Sequence, residues 1–177
     1  MIFKTHVLFA CNLILLSEDL NLLQIGDTLE EKLLFMSFVA LGSVFPDIDE
    51  PQSFIGKKLP VVSHFLSFSF GHRGLTHFCV FPMLIFSVFA WFVPNLDLLV
   101  AFCLGVYLHQ VGDMLTNSGI QGYFYPMASE RNIVLLPKLL RFSTGMLFEK
   151  FVFLPLMMLG FLILVYRNLV AGGFGVF

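Results

Sequence analysis

Apolar residues in this chain come in blocks. Five blocks stand out, at roughly 5–16, 33–46, 77–94, 97–112 and 150–167. Several are shorter than the ~20 residues that a clean membrane span needs, so their polar ends must sit at the interface or inside a helix bundle. Between them lie an acidic loop, SEDLNLLQIGDTLEEK (17–32), a long loop (46–76), a tight turn at VPNLD and a second long loop (113–149). No internal repeat or low-complexity linker interrupts the series. The pattern predicts one all-α domain over residues 1–177: a polytopic membrane helix bundle of about five apolar helices, with two long loops on one face.

Composition decides that the bundle sits in a membrane. The chain is 58% hydrophobic and 12% charged, against about 25% charged in an ordinary soluble domain. Its mean hydropathy is +0.88. With 23 phenylalanines among 177 residues, it carries more apolar surface than a water-soluble chain of this size can hide. A net charge of −2, with no basic run or base-stacking motif, gives no sign of nucleic-acid binding. Cys11, Cys79 and Cys103 lie singly in apolar stretches, as small hydrophobes rather than disulfide partners or thiolate ligands. The opening MIFKTHVLFACNLILL has Lys4 ahead of a short apolar run but lacks a small-residue cleavage site. It is expected to be a retained first helix.

Five alternating spans place the N-terminus and both long loops on one face. That face carries Lys4, Lys57, Lys58, Arg73, Arg131, Lys138, Arg141 and Lys150. The other has Lys32 and Arg167 among Glu18, Asp19, Asp27, Glu30 and Glu31. The positive-inside rule then puts the two long loops in the cytoplasm.

The unusual polar residues fall on that same face. His6 opens the first apolar block, and Asp47 and Asp49 close the second. His77 opens the third, His109 and Asp113 close the fourth, and Glu149 opens the fifth. Ionisable groups at membrane depth are costly, usually face the bundle interior and mark function. In YLHQVGDMLT, His109 and Asp113 are four apart, so a helix presents both on one face. A neutral imidazole and a carboxylate so placed can bind one metal ion. FPDIDEP sets two carboxylates two residues apart in a proline-bounded turn, where one can meet a metal while the other orients a histidine or water. His64, in VVSHFLS, has no partner in sequence and is expected at the loop surface. In GHRGLTH the two histidines are five apart, off the helical register. His77 is therefore expected at the metal, and His72 with Arg73 in the glycine-flanked turn at the substrate, with ligation by His72 left open.

FPDIDEP, GHRGLTH and the series Gly105, His109, Asp113, Leu115, Thr116, Gly119 together resemble the YdjM family of bacterial inner-membrane proteins, regarded as metal-dependent hydrolases. Thr5-His6 and the stretch from Arg141 to Glu149 fit as well, so the resemblance spans nearly the whole chain. That family is in turn distantly similar to zinc-dependent phospholipase C, whose helical site holds its ions through an early His, an Asp, a His, an HxxxD pair and an HxxxE pair. His6, Asp47 or Asp49, His77 and His109/Asp113 match that order; Gly145 stands where the last histidine would precede Glu149.

The resemblance implies a phospholipase C-like metal site with one or two ions, Zn²⁺ or else Mn²⁺. The metal-ligand candidates are His6, Asp47, Asp49, His77, His109, Asp113 and Glu149. His72, Arg73 and Asp49 are the catalytic candidates, and Arg73 and Thr116 the substrate-binding ones. An arginine between two glycines suits bidentate grip on a phosphate. Metal-activated water and a phenylalanine-walled site at the cytoplasmic interface point to hydrolysis of a lipid or lipid-linked phosphoester. Two other readings stand beside this. One is a metal-independent lipid phosphatase, although Cys103 occupies the position where that family has an arginine. The other is a His/Asp-lined ion or metal transporter, which would want its carboxylates at mid-span.

Overall fold

The computed structural model describes residues 1–71, 73–125, 127, 131–138 and 141–173. Among them the α-helices are α1 (Phe3–Asp19), α2 (Leu29–Gly42), α3 (Pro60–Phe70), α4 (Phe81–Phe89), α5 (Leu96–Met114) and α6 (Leu154–Gly173). The 3-10 turns Phe45–Asp49 and Leu75–His77 and the π-helical turn Glu149–Phe153 interrupt the helical run. The 113–149 stretch also holds a short antiparallel ladder, β1 (Ile120–Gln121) with β2 (Asn132–Ile133), in which Ile120 faces Ile133.

The apolar blocks at 5–16, 33–46, 97–112 and 150–167 fall within or across α1, α2, α5 and α6. The block at 77–94 does not form one helix. Its first residue is wound into the separate turn Leu75–His77, and α4 begins only where Pro82 sits in the first turn. The loop expected at 46–76 contains α3, again with proline, Pro60, at its start. A proline in the first turn loses no hydrogen bond and has its φ preset for helix, so both prolines act as initiators. Among the described residues, two helices are long and apolar enough to cross a membrane: Leu96–Met114, with mean hydropathy 1.3, and Glu149–Val170, with 1.9.

Helix α5 is the hub, packing on α1, α2 and α4, while α1 also packs on α6. The crossing of α2 and α5 is made by glycines. A Cβ on Gly42 would strike the carbonyl of Phe102, and one on Gly105 that of Val39. Backbones approach this closely only where both residues are small. Ala10, Ile14, Phe35, Val39 and Ala101 fill the adjoining core. The close crossing brings the C-terminus of α2, at Ser43, within reach of the α5 side chain one turn beyond Gly105, which is His109.

At the opposite end of the bundle, α2 starts with a reciprocal cap. Thr28 accepts from the Glu31 amide, and Glu31 returns the bond to the Thr28 and Asp27 amides. Those two amides, Thr28 foremost, hold the Glu31 carboxyl below its ordinary pKa. Lys32 pairs with Glu18 at 2.6 Å and Arg167 with Asp19 at 3.0 Å.

Candidate metal centre

The other end of the bundle is polar and buried. His109 and Asp113 project from one face of α5, and the turns Leu75–His77 and Phe45–Asp49 bring His77 and the two aspartates against them. His109 Nδ1 lies 2.7 Å from the Ser43 carbonyl oxygen. A carbonyl can only accept, so Nδ1 carries the proton and Nε2 offers a lone pair. His77 Nδ1 lies 3.1 Å from Asp49 Oδ2 and 3.0 Å from Thr76 Oγ1. Thr76 Oγ1 itself donates to the same carboxylate oxygen, at 2.6 Å. The bond between Nδ1 and Asp49 turns His77 Nε2 toward His109. The two Nε2 atoms face one another at 3.3 Å. Two ring nitrogens so oriented, with carboxylate oxygens 3.6 Å away, make a place where a cation can sit.

Carboxylates close the set. Asp47 Oδ1 is 3.6 Å from His109 Nε2, and Asp113 Oδ2 is 3.6 Å from His77 Nε2 and 3.9 Å from His109 Nε2. His6 stacks on His109 with ring centres 3.8 Å apart and 14° between planes. Its Nε2 lies 3.3 Å from Asp113 Oδ1, yet neither ring nitrogen has a properly directed hydrogen bond. Leaving a buried imidazole without such a bond costs about 1–3 kcal/mol of desolvation, which a ligand would relieve. Two overlapping triads result, Asp47–His77–His109 and His6–His109–Asp113, each with its ligand atoms within 4.8 Å of one another. These buried histidines and aspartates can hold a metal ion.

The structure separates residues that spacing alone left together. Asp47 faces the histidine pair, whereas Asp49 is spent on Thr76, His77 Nδ1 and the Arg73 amide, the last at 3.0 Å. Glu149 is fully buried, but it accepts from the amides of Ile2 (2.8 Å) and Gly145 (2.6 Å) and stands outside both triads. Gly145 adopts φ +75° to deliver its amide.

Arg73 also sits at φ +60°, a conformation that side chains disfavour. Its Nη1 donates to Gly119 O at 2.6 Å and its Nη2 lies 2.9 Å from Asp113 Oδ2. Asp113 Oδ1 in addition accepts from the Met1 amino group at 2.8 Å. Thr116 is buried, and its hydroxyl donates to the Asp113 carbonyl at 2.8 Å, closing the end of α5. His72 lies outside the described residues. His64 is exposed on α3 with Nδ1 2.7 Å from Pro60 O, away from the centre.

Three contributors went unseen in the sequence. The Ser43 carbonyl belongs to the backbone and has no sequence signature. Thr76 was in view inside GLTH, directly before His77. Gln110 follows His109, and its Nε2 donates to the carbonyls of Thr76 (3.2 Å) and Phe78 (3.1 Å), pinning the His77 turn to α5. Burial, followed by Tyr107 and Cys79, pushes the Tyr123 phenol up to about 12. All three cysteines are unpaired thiols.

The profile of the family described as "YdjM inner membrane protein" matches residues 1–172. Among curated proteins, the "Uncharacterized protein YvsG" of Bacillus subtilis (strain 168) is 34% identical over 85 residues, covering 48% of this chain and 53% of YvsG. The "Inner membrane protein YdjM" of Escherichia coli (strain K12) is 37% identical over 86 residues, covering 45% of this chain and 43% of that protein. The chain spans about half the length of the curated relatives it matches. No solved structure matches it.

Proposed function

Since this chain belongs to the YdjM inner membrane protein family, we propose that its buried His/Asp centre serves a membrane-bound, metal-dependent hydrolase acting on a phosphoester of a lipid or lipid-linked substrate. The observation that carries the reading is the pair of facing Nε2 atoms at 3.3 Å, each ring oriented by an oxygen on its far nitrogen. Such outer partners are the usual means of orienting metal-ligating histidines. His77, His109, Asp47 and Asp113 would hold the ion, with His6 beside Asp113 as a further candidate ligand. A nitrogen and oxygen donor set without cysteine suits Zn²⁺ first and Mn²⁺ second. When bound, a divalent cation supplies Lewis acidity, activating water near neutral pH and polarising a phosphoryl oxygen.

The chain's own residues do the rest. Asp49 and the Ser43 carbonyl keep both imidazoles facing inward. Arg73 balances Asp113 and, if it exchanges that carboxylate for a phosphate, offers a planar fork of donors to two phosphoryl oxygens. The basic residues of the long loops support a cytoplasmic placement of this end of the bundle.

The test is elemental analysis of detergent-purified protein, then a phosphoester screen with and without chelator and with metal restored. Stoichiometric metal and hydrolysis lost to chelator and recovered with Zn²⁺ or Mn²⁺ are expected. Hydrolysis that ignores chelator would instead favour a metal-independent lipid phosphatase, and protein purified without bound metal that takes none up would sink the centre itself.

A further inference from the structure

Helix α3 is built inside out. Val61, Phe65 and Phe68 recur at the i, i+4, i+7 spacing of one helical face, and they are 82%, 65% and 93% exposed. The opposite face carries Ser63, fully buried, with half-buried Leu66 and Ser67 against the turn Phe45–Asp49. A helix docked on an aqueous protein surface does the reverse, with its aromatics turned in. Large apolar side chains held outward along one stripe need an apolar medium.

That medium cannot be the far side of a span. Eleven residues make a rod of about 16 Å, roughly half the ~30 Å hydrocarbon core. Both ends of the excursion are also tied together, because the Asp49 carboxylate accepts from the Arg73 amide at 3.0 Å. The chain therefore leaves and re-enters at the metal-centre end of the bundle. Just before α3 stand Lys57 and Lys58, both exposed, with Lys58 Nζ 4.7 Å from the Phe54 ring centre. An outward aromatic stripe with lysines at its head matches a helix lying in the interfacial layer, its stripe about 5–10 Å deep and its cations among anionic headgroups.

We infer that α3 is an in-plane membrane helix whose Val61–Phe65–Phe68 stripe rests in the lipid leaflet and whose Lys57 and Lys58 bind anionic headgroups. The helix holds the Phe45–Asp49 turn and Arg73, and with them the metal centre, at headgroup level. The inference stands on the geometry of α3 and does not require hydrolase activity.

The full chain carries one tryptophan, Trp91, so Phe68→Trp in a Trp91→Phe background gives a single reporter at an exposed position that leaves the core untouched. The protein is reconstituted into phosphatidylcholine vesicles with and without phosphatidylglycerol, using lipids brominated near the top or near the end of the acyl chain. The introduced indole should emit in the blue and lose most of its intensity to the shallow bromines and much less to the deep ones. Phe65→Trp, on the same stripe, should behave alike. Stronger quenching by the deep bromines would overturn the in-plane placement in favour of a helix dipping into the core. Emission quenched by aqueous acrylamide but not by bromolipid would overturn lipid contact, as would shielding from both quenchers, which would mean a second protein surface. Omitting phosphatidylglycerol, or changing Lys57→Gln with Lys58→Gln, should each weaken the shallow quenching. Quenching indifferent to both changes would overturn the role of the lysines.

Discussion

The two ends of this bundle treat charge in opposite ways. At the end of Glu31 and Lys32, charges stand near water, each with a simple partner: Lys32 with Glu18, Arg167 with Asp19, Glu31 with two amides. At the other end His6, His77, His109, Asp49, Asp113 and Glu149 are all buried, and they share partners instead of pairing off. The first arrangement costs little and contributes little. Burying six ionisable groups is expensive, and a fold that needed only stability would fill the same space with apolar side chains. The difference teaches that one end closes helices while the other gathers buried groups that can hold a metal ion.

Removing a candidate ligand should break that contrast most visibly. His109→Ala or His77→Ala opens both faces of the paired Nε2 arrangement and is expected to lower metal affinity by well over about a hundredfold, more than the loss of an outer partner. Elemental analysis of the purified variants reads this directly, and stoichiometric metal in His109→Ala would refute the site. Asp49→Asn tests orientation rather than ligation. It keeps the shape but weakens the grip on His77 Nδ1, so metal affinity should drop about 10–100-fold with unchanged stoichiometry at saturation. Titration with a competing chelator measures it.

Glu149→Gln sharpens the comparison within the polar end. One of the two amides from Ile2 and Gly145 would then face an NH₂ group, a mismatch worth about 1–3 kcal/mol of stability. The melting temperature in detergent should fall while bound metal stays at the parental ratio. Loss of metal at unchanged stability would return Glu149 to the ligand set. The smallest effect belongs to the opposite end. Arg167→Ala removes an ion pair whose arginine is mostly exposed and should move stability by at most about 0.5 kcal/mol, with metal content untouched.

Much of the site was legible because its strongest signals are local. The His109–Asp113 spacing is a property of any helix, and the convergence of His6, Asp47, Asp49, His77, His109 and Asp113 on one end follows from where the apolar blocks begin and stop. Membrane character followed from composition. Helix α3 escaped the pattern because its eleven residues, too few for a span, fall inside the 46–76 stretch expected as a loop. A composition window does not tell outward-facing phenylalanines from inward-facing ones.

What the sequence determined by itself was the list of polar residues, the end of the bundle to which they go and the family to which the chain belongs. Only the tertiary structure decided their division of labour. Asp47 and Asp49 are equivalent in FPDIDEP, and they part because one meets His109 Nε2 while the other is taken up by Thr76, Arg73 and His77. Glu149 matches the ligand order in sequence, whereas in the fold its oxygens accept from two backbone amides. The tautomer of His109 depends on the Ser43 carbonyl, which reaches it because Gly42 and Gly105 let two helices touch backbone to backbone. Backbone atoms have no letter in a sequence, and whichever of them reaches a side chain first sets that side chain's role.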